Sequence, residues 1–278
     1  MVMSWQRSSS LTSMQRLAVL DLINHTEALL ERESLDETRR RSVVHGWPGE
    51  HWMLHSDDRL LGYANVTMAA IPSVEMVGGG VDPALLDAIL RVHPEIDWWE
   101  RDTKNRPENA IRTLQLMSRT LHDIVPLSDD RGHSRIFEPG SDDEIWLAQN
   151  NAAFADHPEQ GTWRLADLQS RLEEPWFDPS GFFLYFVDGV LAASCWTRVH
   201  ELYRERFGEI YVLTVGPNFQ GRGFGKTLLH AGLVALRRKG VTRAELFVDA
   251  DNEPAKSLYT AMGFQVVRED QLLRFRRD

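Results

Sequence analysis

Glu209-Ile-Tyr-Val-Leu-Thr-Val215 runs through Gly216-Pro-Asn-Phe219 into Gln220-Gly-Arg-Gly-Phe-Gly225, and this stretch decides the fold. Its β-branched and aromatic residues make the first part a strand. Leu228, Leu229, Gly232, Leu233 and Leu236 then recur at helical spacing, so a helix opens directly behind the glycines. Gly221, Gly223 and Gly225 let backbone N–H groups converge without Cβ obstruction. At a helix N-terminus such groups form an anion site suited to a phosphate or pyrophosphate. A phosphate-bearing ligand is therefore expected near residues 213–227. A Walker loop is excluded, because it needs glycine where Gln220 stands. A Rossmann fingerprint starting at Gly221 is excluded too, because it needs glycine or alanine where Lys226 stands.

The following residues extend the pattern. Ala244-Glu-Leu-Phe-Val248 reads as a strand, Asp249-Ala-Asp-Asn252 as turn and N-cap, and Pro254 as first-turn proline. Ala255 to Phe264 reads as a short helix closed by Gly263. Gln220-x-x-Gly223-x-Gly225 resembles the acetyl-CoA pyrophosphate loop of the GNAT superfamily of N-acetyltransferases. Asn252-x-x-Ala255-x-x-Leu258-Tyr259-x-x-x-Gly263-Phe264 resembles that superfamily's second signature. The resemblance implies a mixed α/β fold and a splayed strand, Tyr211 to Val215, whose backbone at Leu213, Thr214 and Val215 holds the pantetheine arm. It also implies that acetyl-CoA contacts Gln220, Gly221, Arg222, Gly223, Phe224, Gly225 and Lys226, and then Asn252, Ala255, Lys256 and Ser257. Tyr259 has a chemical reason to be present. Amine attack on a thioester expels a thiolate, and a phenol with a pKa of about 10 stays protonated to supply its proton.

Composition bounds the rest. The 278 residues are 42% hydrophobic and 26% charged, ordinary for a globular protein of one or two domains. No run approaches the ~18 apolar residues of a membrane helix. The first residues lack an apolar signal core, so a cytoplasmic protein with no membrane partner is expected. A single cysteine, Cys195, rules out an intrachain disulfide framework and suits a reducing compartment. It lies in the apolar run 191–196 and reads as a small buried residue. A net charge of −10 argues against nucleic acid. The ten histidines show no metal-ligand spacing, so no metal is expected.

The chain reads as two halves, 1–135 and 136–278. The polar, turn-rich run Leu127 to Ser134 marks the boundary. In the second half, 143–154 and 165–172 read as helices, 157–161 as a loop, and 182–187 with 190–199 as a hairpin turning at Asp188-Gly189. A last strand is expected near 272–275. The first half repeats this plan more faintly: a hairpin at 52–55 and 60–67, a strand at 73–77, a helix at 81–90, a strand at 96–99 and a helix at 107–117. Gly78-Gly-Gly80 is too short to be a pyrophosphate loop. With the resemblance, this repeat implies an α/β fold of tandem GNAT domains whose degenerate N-terminal copy lacks the pyrophosphate loop and supplies a wall of the site, with one acetyl-CoA expected per chain.

Further segments narrow the family. Asn150-Asn-Ala-Ala-Phe-Ala-Asp-His-Pro-Glu-Gln-Gly161, Pro175-Trp-Phe-Asp-Pro-Ser-Gly181, Cys195-Trp-Thr-Arg-Val-His200 and Gly208-Glu-Ile-Tyr-Val-Leu-Thr-Val215 resemble the mycothiol synthases. The match covers most of 136–270 and is only topological over 1–135. It implies acetyl transfer from acetyl-CoA to a small-molecule amine acceptor, cysteinyl-glucosaminyl-inositol; separately, a monomer is expected.

Within that resemblance Glu209 holds the acceptor amine, and as a carboxylate it can take the ammonium proton directly or through water. A backbone N–H at Leu213 or Val215 would polarise the acetyl carbonyl. Glu37, Glu159, Arg198 and Phe247 stand at acceptor-binding positions. Arg198 replaces the family's usual lysine, keeping the cation but changing its geometry. Phe247 replaces a frequent tyrosine and removes one hydroxyl. Two other readings stay open: a GNAT enzyme for a different amine or a protein N-terminus, and a non-catalytic acyl-CoA sensor.

Overall fold

The structure, a computed structural model, describes residues 4–56, 59–124, 133–155, 161–202 and 205–277. The chain forms two units, and neither is a continuous run. Unit 1 takes Met1–Leu116, Asp249–Asp251 and Arg268–Asp278; unit 2 takes Met117–Val248 and Asn252–Val267. Residues 125–132, which hold most of the expected linker, lie outside the described residues, as does the Asp57-Asp58 turn.

Unit 1 contains β1 (Ser4–Ser8), α1 (Ser13–Leu30), α2 (Glu37–His45), β2 (Glu50–Ser56), β3 (Arg59–Thr67), β4 (Ser73–Met76), α3 (Pro83–Leu90), β5 (Glu95–Glu100) and the first part of β6 (Ala110–Thr120). The expected hairpin, strand, helix and strand are β2–β3, β4, α3 and β5. α1, for which no sequence expectation is drawn, starts at a Thr12 capping box closed by Gln15. β4 and β5 are parallel and register only at Ser73↔Asp97 and Val74↔Trp98. Trp52, Val66, Val74, Leu85, Ile89, Ile96 and Trp98 form the core between sheet and α3.

The helix expected over 107–117 is instead strand β6. Leu114 and Met117 mimic helical spacing, but the strand is paired along both edges, between the C-terminal strand β12 (Gln265–Arg276) and β11 (Arg243–Asp249). In unit 1 the Asn109 carbonyl accepts from Arg274 N–H and the Thr113 carbonyl accepts from Ala250 N–H. In unit 2 Leu121 N–H donates to the Thr242 carbonyl. Tertiary pairing overrides a weak local pattern, since β preference is largely a matter of neighbours.

Unit 2 follows the sequence closely. It contains β7 (His133–Ile136), α4 (Asp143–Ala153), α5 (Leu165–Leu172), β8 (Phe182–Val187), β9 (Val190–Leu202), β10 (Glu205–Val215), α6 (Phe224–Arg238), β11 and α7 (Glu253–Ala261). Strands β7 to β10 are antiparallel neighbours in chain order, and β11 is parallel to β10. Asp188 and Gly189 both have positive φ, as a two-residue I′ turn requires.

Two cores cover the two faces of this sheet. On one, Leu228, Leu229, Leu233 and Leu236 of α6 pack on Cys195, Ile210, Ala244 and Leu246. A Cβ at Gly232 would meet the Cys195 sulfur at 2.7 Å, so the mid-helix glycine is what lets α6 sit this close. The other face carries an aromatic stack: Phe137 on Phe182 at 4.2 Å and Phe182 on Trp196 at 4.5 Å, with the Trp146 edge against Phe182 and Trp196. Burying each such ring contributes about 1.5–3 kcal/mol.

Candidate active site

The site grows out of a parting of strands. β10 and β11 register at Gly208↔Ala244 and Glu209↔Glu245, and among the described residues the pairing goes no further. β10 stays paired with β9 on its other edge up to Val215. Gly216 N–H donates to the Ala192 carbonyl, so strand alternation turns the Thr214 backbone toward β9 and the Leu213 and Val215 N–H groups toward the gap. An extended chain with carbonyl acceptors can pair with that edge.

The Thr214 hydroxyl is engaged elsewhere. It lies 2.7 Å from the Gln149 oxygen and 2.6 Å from the Ser194 hydroxyl, which also accepts from the Trp146 indole at 2.9 Å. Thr214 therefore anchors β10 to α4, and the gap-facing groups belong to its two neighbours.

Past Val215 the chain makes a 3₁₀ turn over Pro217–Phe219 and enters the glycine loop. Gly221 and Gly223 have φ of +71° and +88°, a region that costs a side-chain-bearing residue roughly 1–2 kcal/mol. Gly223 is the N-cap of α6 and, having no side chain, leaves the first-turn N–H groups at Phe224, Gly225 and Lys226 without a side-chain cap. Those groups with the positive helix end make an anion cradle. Gln220, Arg222 and Lys226 are exposed around it. Arg222 leans over the rings of Phe219 and Phe224 at 5.6 and 5.3 Å. The Phe224 ring itself is buried, with Tyr185 beside it and Arg222 over it.

Unit 1 contrasts with this. Gly78, Gly79 and Gly80 all have positive φ, yet α3 begins with Asp82, whose carboxylate accepts from Leu85 N–H at 2.8 Å. The anion position of that helix is filled by the chain's own carboxylate.

α7 brings Tyr259. Asn252 caps the helix through Ala255 N–H, Lys256 pairs with Glu253 at 2.7 Å, and Ser257 is exposed. Tyr259 is 9% exposed and meets Phe264 edge-on at 6.0 Å. Burial first, and the Cys195 sulfur second, push its phenol above the usual tyrosine range, so it is a proton donor throughout the neutral range. The Cys195 thiol is fully buried and pushed up to about 12 by that burial, which leaves no nucleophilic thiolate.

Glu209 sits at the mouth of the gap, on the sheet face opposite α6. A bulge between Ile210 and Val212 turns Tyr211 and Val212 to that same face. Cross-strand register sets Arg198 directly beside Glu209 on β9 and Glu245 directly beside it on β11. Period-two alternation adds His200, Arg243 and Phe247. Arg198 lies over the Trp176 ring at 4.5 Å, Trp176 meets Tyr211 at 5.0 Å, and Arg171 donates to the Tyr211 hydroxyl at 2.9 Å. Phe247 is 40% exposed. Arg243 and Glu245 form a 3.2 Å ion pair. His200 Nε2 lies 2.6 Å from Glu209 Oε2, and the His200 ring stacks on Phe207 at 4.7 Å.

The structure thus brings Glu209, Arg198 and Phe247 onto one face and the cofactor residues to its edge. Glu37 lies in unit 1, as the first residue of α2 behind the N-cap Asp36. A buried network holds this turn: Asp36 N–H donates to Glu75 at 2.6 Å, and Arg39 and Arg101 pair with Asp36 and Glu75. Glu159 lies outside the described residues, with most of its loop. His200, Trp176, Tyr211, Arg243 and Glu245 carry no expectation from the sequence as site residues, although alternate positions 196, 198, 200 and 243, 245, 247 already implied a shared face. Among the described residues no cluster suits a metal ion, and no helix is long and apolar enough to cross a membrane.

Residues 144–264 match the acetyltransferase (GNAT) family. The chain is 39% identical over 252 residues to a mycothiol acetyltransferase of Thermobispora bispora, covering 83% of this chain and 85% of that one. It is 35% identical over 288 residues to a mycothiol acetyltransferase of Streptomyces griseus, covering 95% and 93%. Among solved structures, a tandem GNAT protein from the clavulanic acid biosynthesis pathway superposes with a TM-score of 0.66 at 15% identity, covering 99% of this chain and 98% of that one.

Proposed function

The chain belongs to the mycothiol acetyltransferase family of tandem GNAT proteins, and we propose that it moves the acetyl group of acetyl-CoA onto the cysteinyl amine of cysteinyl-glucosaminyl-inositol. It is an acetyltransferase acting on a small-molecule acceptor; the identity of that acceptor, the residue roles and a monomeric, cytoplasmic enzyme are the proposal. One observation carries it: Glu209 stands where β10 leaves β11, between a strand edge leading to a helix without a side-chain cap and the polar face that carries Arg198, His200 and Glu245.

Acetyl-CoA supplies the thioester. The N–H groups of α6's first turn and the loop 220–226 hold its pyrophosphate, Leu213 and Val215 pair with its pantetheine amides, and α7 from Asn252 to Ser257 flanks it. One of the gap-facing N–H groups on β10 polarises the acetyl carbonyl. Glu209 takes a proton from the acceptor ammonium, leaving a neutral amine. The C–N bond forms as the C–S bond breaks, Tyr259 gives its proton to the departing sulfur, and the second proton released by the attacking nitrogen passes through water to restore Tyr259. Arg198, Phe247, Trp176 and Tyr211 supply cation, ring faces and hydroxyl for a polyhydroxylated acceptor. Glu37 and Glu159 enter as acceptor ligands on the family resemblance alone. Catalysis is assigned to 136–278, with 1–135 non-catalytic.

The test is CoA thiol release from acetyl-CoA with the pseudodisaccharide, against glucosamine, an aminoglycoside, a polyamine and an N-terminal peptide. Turnover confined to the pseudodisaccharide is expected. Faster turnover on another amine would keep the chemistry and replace the acceptor, and tight acetyl-CoA binding with no turnover would point to a sensor.

A further inference from the structure

The polar face around Glu209 holds one contact with no place in the chemistry above. His200 reaches diagonally from β9 to β10, its Nε2 2.6 Å from Glu209 Oε2. Both side chains are sheltered, His200 at 7% and Glu209 at 14% exposure, so water competes weakly for the bond. The imidazole is also fixed from the side. Its ring lies parallel to Phe207, its direct cross-strand partner, and Arg243 lies over the same Phe207 ring at 5.0 Å. A strand-borne histidine braced by a stacked ring has little rotamer freedom, and the carboxylate it holds shares that rigidity.

We propose that His200 is the positioning residue of Glu209: it donates from Nε2 to Oε2 and turns the other carboxylate oxygen to the acceptor amine. Glu209 lies between two guanidinium-bearing side chains, Arg198 directly across on β9 and Arg243 diagonally across on β11, with Glu245 beside it. Left unheld, the carboxylate would pair with either arginine and turn away from the amine. The imidazole bond removes that choice. The proposal rests on the reading of Glu209 as the group that meets the amine.

Three variants separate the possibilities. His200→Gln keeps an N–H donor and loses the ring; His200→Phe keeps ring, volume and the stack on Phe207 but has no donor. If His200 positions Glu209, His200→Phe lowers kcat/KM for the acceptor by about 10²-fold with the KM for acetyl-CoA unchanged, and His200→Gln retains most of the activity. The reverse order, with the Phe variant active and the Gln variant impaired, would make His200 a packing residue and overturn the proposal. Glu209→Gln run alongside tells the two failures apart. If it is fully active, the reading of Glu209 fails; if it is inactive while His200→Phe is normal, only the role of His200 fails. A readout independent of turnover is ring ¹⁵N NMR of the histidines in the full chain. A proton on His200 Nε2 whose signal shifts in Glu209→Ala is expected, and His200 protonated on Nδ1 alone would refute the bond as drawn.

Discussion

Tyr259 is the residue where burial and chemistry meet. As the buried residue of α7 it contributes to the core, and as a phenol kept protonated by its apolar surroundings it can donate to a departing sulfur. Tyr259→Phe separates the two roles, because the ring and its contact with Phe264 are kept. We expect kcat to fall by roughly 10²-fold or more, the size of a general-acid contribution, with acetyl-CoA affinity and thermal midpoint nearly unchanged. Loss of affinity together with a lowered midpoint would make Tyr259 a core residue without a proton-transfer role. Thr214 shows the opposite case. The loop resemblance put it among the cofactor residues, yet its hydroxyl is tied to Gln149 and Ser194. Alternation along a strand decides which residue faces a ligand, and sequence gives that alternation only after the register with β9 is known.

At the scale of elements, the two strand–loop–helix units diverge at one position. α6 begins at Gly223 and keeps its first-turn N–H groups available, whereas α3 begins at Asp82 and satisfies its own. A carboxylate at an N-cap both occupies the anion position and repels a phosphate placed there. Calorimetry with acetyl-CoA should therefore give one site per chain, and Gly223→Ala should weaken that site by roughly five- to thirty-fold, since positive φ strains alanine by ~1–2 kcal/mol. A second site surviving in Gly223→Ala would place acetyl-CoA in unit 1 and contradict this account. Most elements of 136–278 were legible from the sequence because their signals are local: an Asp-Gly turn, a glycine-opened helix, a leucine face. β6 was not, because its apolar residues do not alternate and its strand character comes from partners on both edges.

At the scale of the molecule, unit 1 is completed by the far end of the chain. Gln271 to Arg276 pair antiparallel with β5, from Gln271↔Glu100 to Arg276↔Glu95, and Phe275 packs against the unit 1 core. Arg274 joins Asp97 by two bonds of 2.8 and 2.9 Å. Ending the chain after Val267 should leave β5 with an unpaired edge and unfold unit 1, even though all its other strands are present. Loss of the amide protection of β4 and β5 in hydrogen exchange is the expected result, restored by a peptide of residues 268–278; full protection in the truncated chain would show that β12 is dispensable there. A boundary drawn from linker composition sees only neighbours along the chain, and strand pairing between residues 171 positions apart leaves no compositional trace.

Reading along the chain was enough to find the candidate phosphate loop, the candidate cofactor strand, the candidate acid Tyr259, the candidate base Glu209 and the family to which they point. These are legible because each depends on residue types at short fixed spacing, where backbone conformation is set locally. Folding was needed to see which edge of β10 parts from β11, which alternate residues join Glu209 on its face, that His200 Nε2 lies 2.6 Å from Glu209 Oε2, and that the last strand pairs with β5. Those facts depend on register and on contacts between distant segments, and their energies come from pairing and burial that no local window contains.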